Sequence, residues 1–360
     1  MGRTGDGLRC CLGGRDLLSH SGLRGPALNH AFGGLPVLGN NRSADWEGNE
    51  YTAIRRTRRP GQHDIPRIGI VDLMATTARG LAQRQFARLV ESALRHNSLC
   101  AEVDIVNLDA ASSWPRLADT RADWDRIASF DALIVTGAEP KSTALARDPS
   151  FAIVEEILTV TDSRAVSIVF SCLSAHAALD MLYSIPRHRL PEKRIGVLAH
   201  RVTGASTLTG GLPSVVRFPH SRWNMVHRSD LTASNVNPLM VTGTDDWGIA
   251  TSPDGIRYVF LQGHPEYFAD TLLREYRRDV RRFLHGEAQV YPTVPRDYLS
   301  SSSFEAAIKF SVHAKRNRSL QTATAFPDME LDPGLGHAWE PSANVFAANW
   351  TSRVAGLVNA

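Results

Sequence analysis

One cysteine near the middle of the chain stands where two kinds of local structure meet. In the run AVSIVFSCLSAHAALDMLY, the Val- and Ile-rich residues favour a buried strand, and the alanine-rich stretch after Cys172 favours a helix. A sharp strand-to-helix turn lifts a side chain clear of the sheet, and a helix N-terminus favours the thiolate form of cysteine. A lone cysteine at a strand end is more often a small buried hydrophobe. Cys172 is therefore a candidate nucleophile that needs partners.

Candidate partners follow a second apolar run. The segment IRYVFLQGHPEY places His264 and Glu266 just after a predicted strand. An imidazole can take a proton from a thiol and later return it, and a carboxylate can hold the ring in the required tautomer. The backbone N–H groups of Leu173 and Ala138 are expected to form an oxyanion hole. These residues predict a Cys–His–Glu catalytic triad that attacks a carbonyl group.

The elements that must position this triad alternate in type. Predicted strands at RIGIVDLM, EVDIVNL, DALIVTGAEP and AVSIVF are separated by helical patterns, as in GLAQRQFARLVESALRHN and FAIVEEILTVT. After residue 190, short strand candidates (IGVLAH, SVVRF, PLMVTG, WGIATS and IRYVFLQ) precede a helix that starts at Asp270 as a good cap. The pattern predicts an α/β fold, with a mostly parallel sheet covered by helices on both faces and an antiparallel extension.

Length and composition limit the remaining classes. The chain has 360 residues, 43% of them apolar, and a net charge of +3, with much of the basic excess near the N-terminus. We expect a poorly ordered extension over 1–63, a catalytic domain over 64–290 and a partly ordered extension over 291–360. Four cysteines without a CxxC pair favour a reducing compartment and no zinc site. No run is long and apolar enough to span a membrane, and no basic stripe favours nucleic acid. The sequence predicts a cytoplasmic enzyme.

Several long motifs carry a family resemblance. The segments FSCLSAHAALDMLYSI, LPEKRIGVLAH, PHSRWN and QGHPEYFADTLLREYRRDV resemble the homoserine O-acyltransferases of methionine biosynthesis, over roughly residues 66–285. The resemblance implies a flavodoxin-like, class I glutamine amidotransferase-like fold. It also implies acyl transfer from succinyl-CoA or acetyl-CoA to homoserine through a cysteine thioester, with acyl-CoA as co-substrate and no bound cofactor. A homodimer is consistent with it.

The resemblance assigns further residues. Cys172, His264 and Glu266 match the family nucleophile, base and partner. Lys193 matches a lysine of the acyl or substrate pocket, Ser221 a substrate-contacting serine, and Arg278 the arginine that pairs with the homoserine carboxylate. Without the motifs, these last three would be read as a solvated lysine, a turn serine and one more arginine on a basic helix.

The sequence also departs from the family pattern. Met74 is followed by Ala75, whereas the family usually has a Met-Pro turn and a nearby lysine. The segment Glu139-Pro140-Lys141 matches neither usual choice at the position that helps select the acyl group. Lys141 would suit a succinyl carboxylate, so succinyl-CoA is favoured. A shift of acceptor to serine, a glutamine amidotransferase-like hydrolase and a non-catalytic relative remain as alternatives.

Overall fold

A mixed sheet forms the centre of the chain. The structure is a computed structural model that describes residues 8–9, 64–74, 76–108, 121–162, 164–243, 245–328, 330–334 and 337–360. The strands within these ranges are β1 (Leu8–Arg9), β2 (Arg67–Asp72), β3 (Glu102–Asn107), β4 (Ala132–Val135), β5 (Ser167–Ser171), β6 (His188–Val202), β7 (Val215–Met225), β8 (Asn237–Val241), β9 (Trp247–Thr251) and β10 (Tyr258–Leu261). Apart from β1, the N-terminal extension predicted over 1–63 lies outside the described residues.

Helices follow most of the parallel strands. Their bounds are α1 (Thr76–His96), α2 (Arg121–Ala128), α3 (Pro149–Thr161), α4 (Leu173–Tyr183), α5 (Arg228–Ala233), α6 (Thr271–Leu284), α7 (Ser301–Arg316), α8 (Leu320–Ala323) and α9 (Glu340–Val358). Among the described helices, none combines the length and the apolar character that a membrane crossing requires.

The strand order divides the sheet into two parts. Within the order β1-β3-β2-β4-β5-β10-β9-β8-β6-β7, the neighbours from β3 to β10 pair in parallel, and those from β10 to β7 pair in antiparallel. The predicted α/β fold with an antiparallel extension is therefore confirmed. Because the carboxyl ends of β2, β4, β5 and β10 lie at one edge, the turns after these strands meet there.

Two apolar cores cover opposite faces of the sheet. On β2, Ile70 belongs to the core that includes Phe86 of α1 and Leu272 of α6, whereas the next residue, Val71, belongs to the core that includes Leu179 of α4. Successive strand residues point to opposite faces, so this alternation places helices on both sides. The parallel strands are consequently held as a rigid platform for the turns at their ends.

Two local expectations need correction or extension. Asp270 occupies the N-cap position of α6, but its side chain makes no cap hydrogen bond and accepts instead from Nε of Arg274 at 2.7 Å. The predicted good cap is therefore wrong, because an ion pair one turn away captures the carboxylate. Beyond residue 290, where a partly ordered extension was expected, α7 and α9 contribute buried side chains such as Phe310 and Trp350 to the core that also contains Phe86.

Candidate active site

The backbone at Cys172 has the geometry of a nucleophile elbow. Cys172 lies between β5 and α4 with φ 54° and ψ −107°, a conformation that non-glycine residues rarely adopt. Its N–H donates to the carbonyl oxygen of Leu261 on β10 at 2.8 Å, and its own carbonyl accepts from His176 N at 3.0 Å in the first turn of α4. The thiol-bearing residue remains partly exposed. The elbow therefore presents Cys172 at the sheet edge, as the sequence predicted.

The His264–Glu266 pair lies beside this elbow. β5 and β10 are parallel neighbours, with Ser171 opposite Leu261, and His264 comes three residues after Leu261. Nδ1 of His264 is 2.7 Å from Oε1 of Glu266, and both side chains are buried. Nε2 of His264 has no hydrogen-bond partner among the described residues. That nitrogen is therefore free to exchange a proton with a thiol or a hydroxyl group.

The electrostatics of His264 favour the protonated ring. Burial opposes the charged form, but the Glu266 carboxylate and the Cys172 side chain outweigh it and raise the pKa of His264 to about 10. An imidazolium beside a cysteine stabilises the thiolate. The site can thus hold an ion pair of the kind that cysteine nucleophiles use.

The turn after β4 closes over the elbow. A Cβ atom built on Gly137 would lie 3.2 Å from Cβ of Cys172, 3.2 Å from the Ser171 carbonyl oxygen and 3.7 Å from Leu173 N. Only glycine allows this approach without displacing the elbow. Leu173 begins α4, so no preceding helical turn supplies an acceptor for its N–H. Ala138 follows Gly137 directly, which places the two predicted oxyanion donors on adjoining segments.

The three predicted substrate residues converge on the carboxylate of Glu275, a residue that was not predicted from the sequence. Glu275 of α6 accepts from Lys193 Nζ at 3.2 Å and from the Ser221 hydroxyl, and it lies 3.7 Å from Nη2 of Arg278. Lys193 also pairs with Asp279 at 2.7 Å. Although burial opposes its charged form, Lys193 and Arg278 lower the pKa of Glu275 to about 2. Lys193 is thus a buried, ion-paired residue and not a solvated one.

Tyr267 links this carboxylate to the triad. Its ring stacks on His264, with centroids 4.3 Å apart and planes inclined by 21°, and its hydroxyl donates to Oε1 of Glu275 at 2.6 Å. Tyr267 and Glu275 lie in the motif that suggested the family, but a tyrosine and a glutamate near an Arg-rich helix carry no local sign of this role. The helical spacing of Glu275, Arg278 and Asp279, which puts all three on one face, was the available signal.

Within the described residues, no group of three or more His, Cys, Asp or Glu side chains is arranged to hold a metal ion. The chemistry that the site can perform with its own groups is nucleophilic attack, proton transfer and binding of a charged substrate.

Comparisons with known proteins assign the chain to a family. The family model described as homoserine O-succinyltransferase matches residues 47–356. The homoserine O-succinyltransferase of Methylorubrum extorquens is 35% identical over 301 residues, which cover 81% of this chain and 88% of that protein. The protein of the same name from Rhodopseudomonas palustris is 34% identical, with 79% and 86% covered.

Solved structures with detectable likeness include a glutamine amido transferase from Methylobacillus flagellatus. It has a TM-score of 0.46 and 12% sequence identity, with 80% of this chain and 95% of that chain covered. The sequence comparisons confirm the resemblance drawn from the motifs. The chain belongs to the homoserine O-succinyltransferase family of acyltransferases.

Proposed function

We propose that the protein transfers an acyl group from acyl-CoA to the hydroxyl of homoserine, through a thioester on Cys172. The observation that carries the proposal is the placement of the His264–Glu266 pair at the end of β10, the parallel neighbour of the strand that leads into Cys172. Family membership supports homoserine and acyl-CoA as the substrates.

In the first half-reaction, the Cys172 thiolate attacks the thioester carbonyl of acyl-CoA. The negative charge on the carbonyl oxygen would be stabilised by the N–H groups of Leu173 and Ala138. As the tetrahedral intermediate collapses, the bond to the CoA sulfur breaks and His264 gives its proton to that sulfur. Acylation removes the thiolate charge that helps to raise the pKa of His264, so the ring releases its proton more readily at this stage.

In the second half-reaction, neutral His264 takes the proton of the homoserine hydroxyl, and the oxygen attacks the acyl-Cys172 thioester. Glu266 stabilises the imidazolium that forms. When the intermediate collapses, the Cys172 thiolate leaves and the O-acyl product is released.

The cluster around Glu275 suits the charged ends of homoserine. Arg278 offers a planar fork to the carboxylate, and Glu275 offers a counter-charge to the ammonium group. Ser221 and Lys193 already hydrogen bond to Glu275 and would orient it. Tyr267 connects this cluster to His264, so the acceptor hydroxyl would be held near the base.

We favour succinyl-CoA as the donor because a lysine follows the turn that closes on Cys172. Lys141 lies on the segment after β4, four residues beyond Gly137, which closes on Cys172. Its N–H donates to Oδ2 of Asp148 at 2.7 Å, which fixes the backbone, and the residue is exposed. The Lys141 ammonium group would provide a point charge for the free carboxylate of a succinyl group.

A donor-by-acceptor screen tests the proposal. Purified protein is incubated with succinyl-CoA or acetyl-CoA, and intact-protein mass spectrometry looks for an acyl adduct before homoserine, or serine, is added. We expect a succinyl adduct on Cys172 that disappears when homoserine is present, with release of CoA. Cys172→Ala should abolish the adduct, whereas Cys100→Ala, at an exposed cysteine, should retain it.

Three results would contradict the proposal. An adduct that persists in Cys172→Ala would remove this residue from the nucleophile role. Absence of CoA release with both donors and both acceptors would rule out the transferase activity. Release of ammonia from glutamine would instead favour a hydrolase that uses the same triad.

A further inference from the structure

One fully buried side chain connects the two halves of the candidate triad. Gln262 follows β10 and precedes His264 by two residues, and none of its surface is exposed to solvent. Its Oε1 accepts from Val226 N at 2.9 Å and lies 3.2 Å from Nε2 of His176. Its Nε2 donates to Oδ1 of Asp246 at 2.7 Å and to the Trp247 carbonyl at 3.3 Å. The amide therefore uses both its donors and its acceptor.

The contact with His176 connects Gln262 to the first turn of the helix that follows Cys172. His176 lies in the first turn of α4, and its backbone N–H donates to the carbonyl of Cys172 at 3.0 Å. Burial, with a further contribution from Arg222, lowers the pKa of His176 to about 3. The ring therefore stays neutral throughout the working range of pH and can donate from Nε2 to Gln262. The Gln262–His176 bond ties α4 to the segment that carries His264.

The opposite edge of the amide is fixed by an immobile carboxylate. Asp246 is completely buried, and it accepts from Nη2 of Arg222 at 2.7 and 2.6 Å and from Arg194. Two guanidinium groups on one carboxylate hold it in a single position. The Gln262 amide, which donates to Asp246, is therefore held in a fixed position as well.

We propose that Gln262 is a positioning residue that sets the separation between the Cys172 elbow and the His264 ring. The inference rests on the proposed function, because Gln262 would align Cys172 and His264, the nucleophile and the base of that mechanism. A buried glutamine could serve the fold alone. Here, however, its partners include the first turn of the nucleophile helix on one side and a fixed carboxylate on the other, and its own backbone leads into the base. A shift of the amide would therefore change the relative position of Cys172 and His264.

The test uses Gln262→Met, which keeps the approximate volume and removes the hydrogen bonds. The control is Ser167→Ala, at the other end of β5, which removes a buried hydroxyl that bonds to the Ile256 carbonyl at 2.7 Å and to Trp350 Nε1 at 2.8 Å. Both variants lose buried hydrogen bonds, but only Gln262→Met loses them between the catalytic elements. Thermal denaturation shows whether both remain folded.

Two rates are then measured. The first is the rate at which iodoacetamide alkylates Cys172 as a function of pH, with peptide mapping to identify the alkylated residue. The second is the rate of acyl-enzyme formation. We expect Gln262→Met to slow acylation on the order of 10- to 100-fold, the loss typical of a misplaced reacting group. Its KM values for acyl-CoA and homoserine should stay near those of the wild type. The pH profile of alkylation should shift, whereas Ser167→Ala should keep the wild-type profile.

Gln262→Glu provides a second test, including the case in which Gln262→Met does not fold. The introduced carboxylate faces Asp246 and repels it, but at lower pH its protonated form can again donate to Asp246. We expect its acylation rate, relative to the wild type, to rise as the pH falls.

Two outcomes would overturn the positioning role. One is that folded Gln262→Met acylates and is alkylated at wild-type rates. The other is that its acylation rate falls by no more than that of Ser167→Ala. If the wild type forms no acyl-enzyme but its Cys172 is alkylated with a pH profile that Gln262→Met shifts, the proposed function fails and the positioning role stands.

Discussion

The ring of Tyr267 lies nearly parallel to the ring of His264, with centroids 4.3 Å apart, and this stack joins the candidate triad to the cluster around Glu275. The phenol has two separable functions here. Its face restricts the imidazole, and its hydroxyl donates to the Glu275 carboxylate on α6. In the proposed mechanism, a substrate bound by Glu275 would therefore lie close to the ring that activates it.

Tyr267→Phe separates these functions, because it keeps the stack and removes the hydroxyl. We expect the KM for homoserine to rise several-fold, because Glu275 loses one of the charge-assisted hydrogen bonds that orient it. The rate of acyl-enzyme formation should remain near the wild-type value. Steady-state kinetics and a single-turnover acylation assay measure the two quantities. An equal loss in both would show that the hydroxyl serves the triad itself.

The Glu266 carboxylate makes protein stability depend on pH. The folded-state pKa of His264, about 10, lies above the ordinary value of about 6.5 for histidine, so protonation favours the folded protein. This contribution is fully present below about pH 6.5 and is lost as the pH rises through about 10.

Glu266→Gln should lower the pKa of His264 and remove most of that contribution. We therefore expect the variant to unfold at a lower temperature than the wild type near neutral pH, with a gap that narrows as the pH approaches 10. Thermal denaturation across this range is the measurement. A gap that widens with pH would mean that His264 is neutral in the folded protein.

Charge at position 275 should matter more than size. Glu275→Gln keeps the shape but removes the counter-charge to Lys193. It also removes the charge proposed to face the substrate ammonium group. We expect the KM for homoserine to rise by about tenfold or more, since a hydrogen bond between charged groups contributes about 1.5–3 kcal/mol. Arg278→Lys keeps the cation and loses the planar fork, so it should also raise this KM but by less. Unchanged KM values in both variants would place the acceptor elsewhere.

The C-terminal segment is expected to support catalysis. Nε1 of Trp339 donates to the Tyr267 carbonyl at 2.8 Å, and the indole is buried. Trp339→Phe keeps much of the packing and removes this bond. We expect the turnover number to fall several-fold with little change in the overall circular-dichroism spectrum. A variant with wild-type turnover would limit this segment to a structural role.

Local pattern was sufficient for the strands that carry the triad. β5 and β10 are short apolar runs that end at polar or glycine residues, and the alanine-rich sequence of α4 is typical of a helix. Cys172 and His264 could therefore be placed at strand ends. Family motifs then added residues, among them Lys193, to the expected site.

The cluster around Glu275 could not be derived in the same way. Lys193 on β6, Ser221 on β7 and Glu275 on α6 are distant in the chain and meet only because the antiparallel part of the sheet returns towards the edge where the parallel strands end. Sequence periodicity shows which face of an element is apolar, but it does not show which charged group will face another across the fold. The same limit hid Gln262, since a glutamine after a strand carries no sign of four buried partners.

The positive φ of Cys172 has a thermodynamic consequence for the whole protein. A side chain held in this conformation costs about 1–3 kcal/mol, which glycine at the same position would largely avoid. Cys172→Gly should therefore give an inactive protein that melts at a higher temperature than its parent. Such a result would mean that Cys172 lowers the stability of the folded protein relative to glycine at the same position. The protein would then keep a less stable backbone at one residue because that residue supplies the reactive thiol.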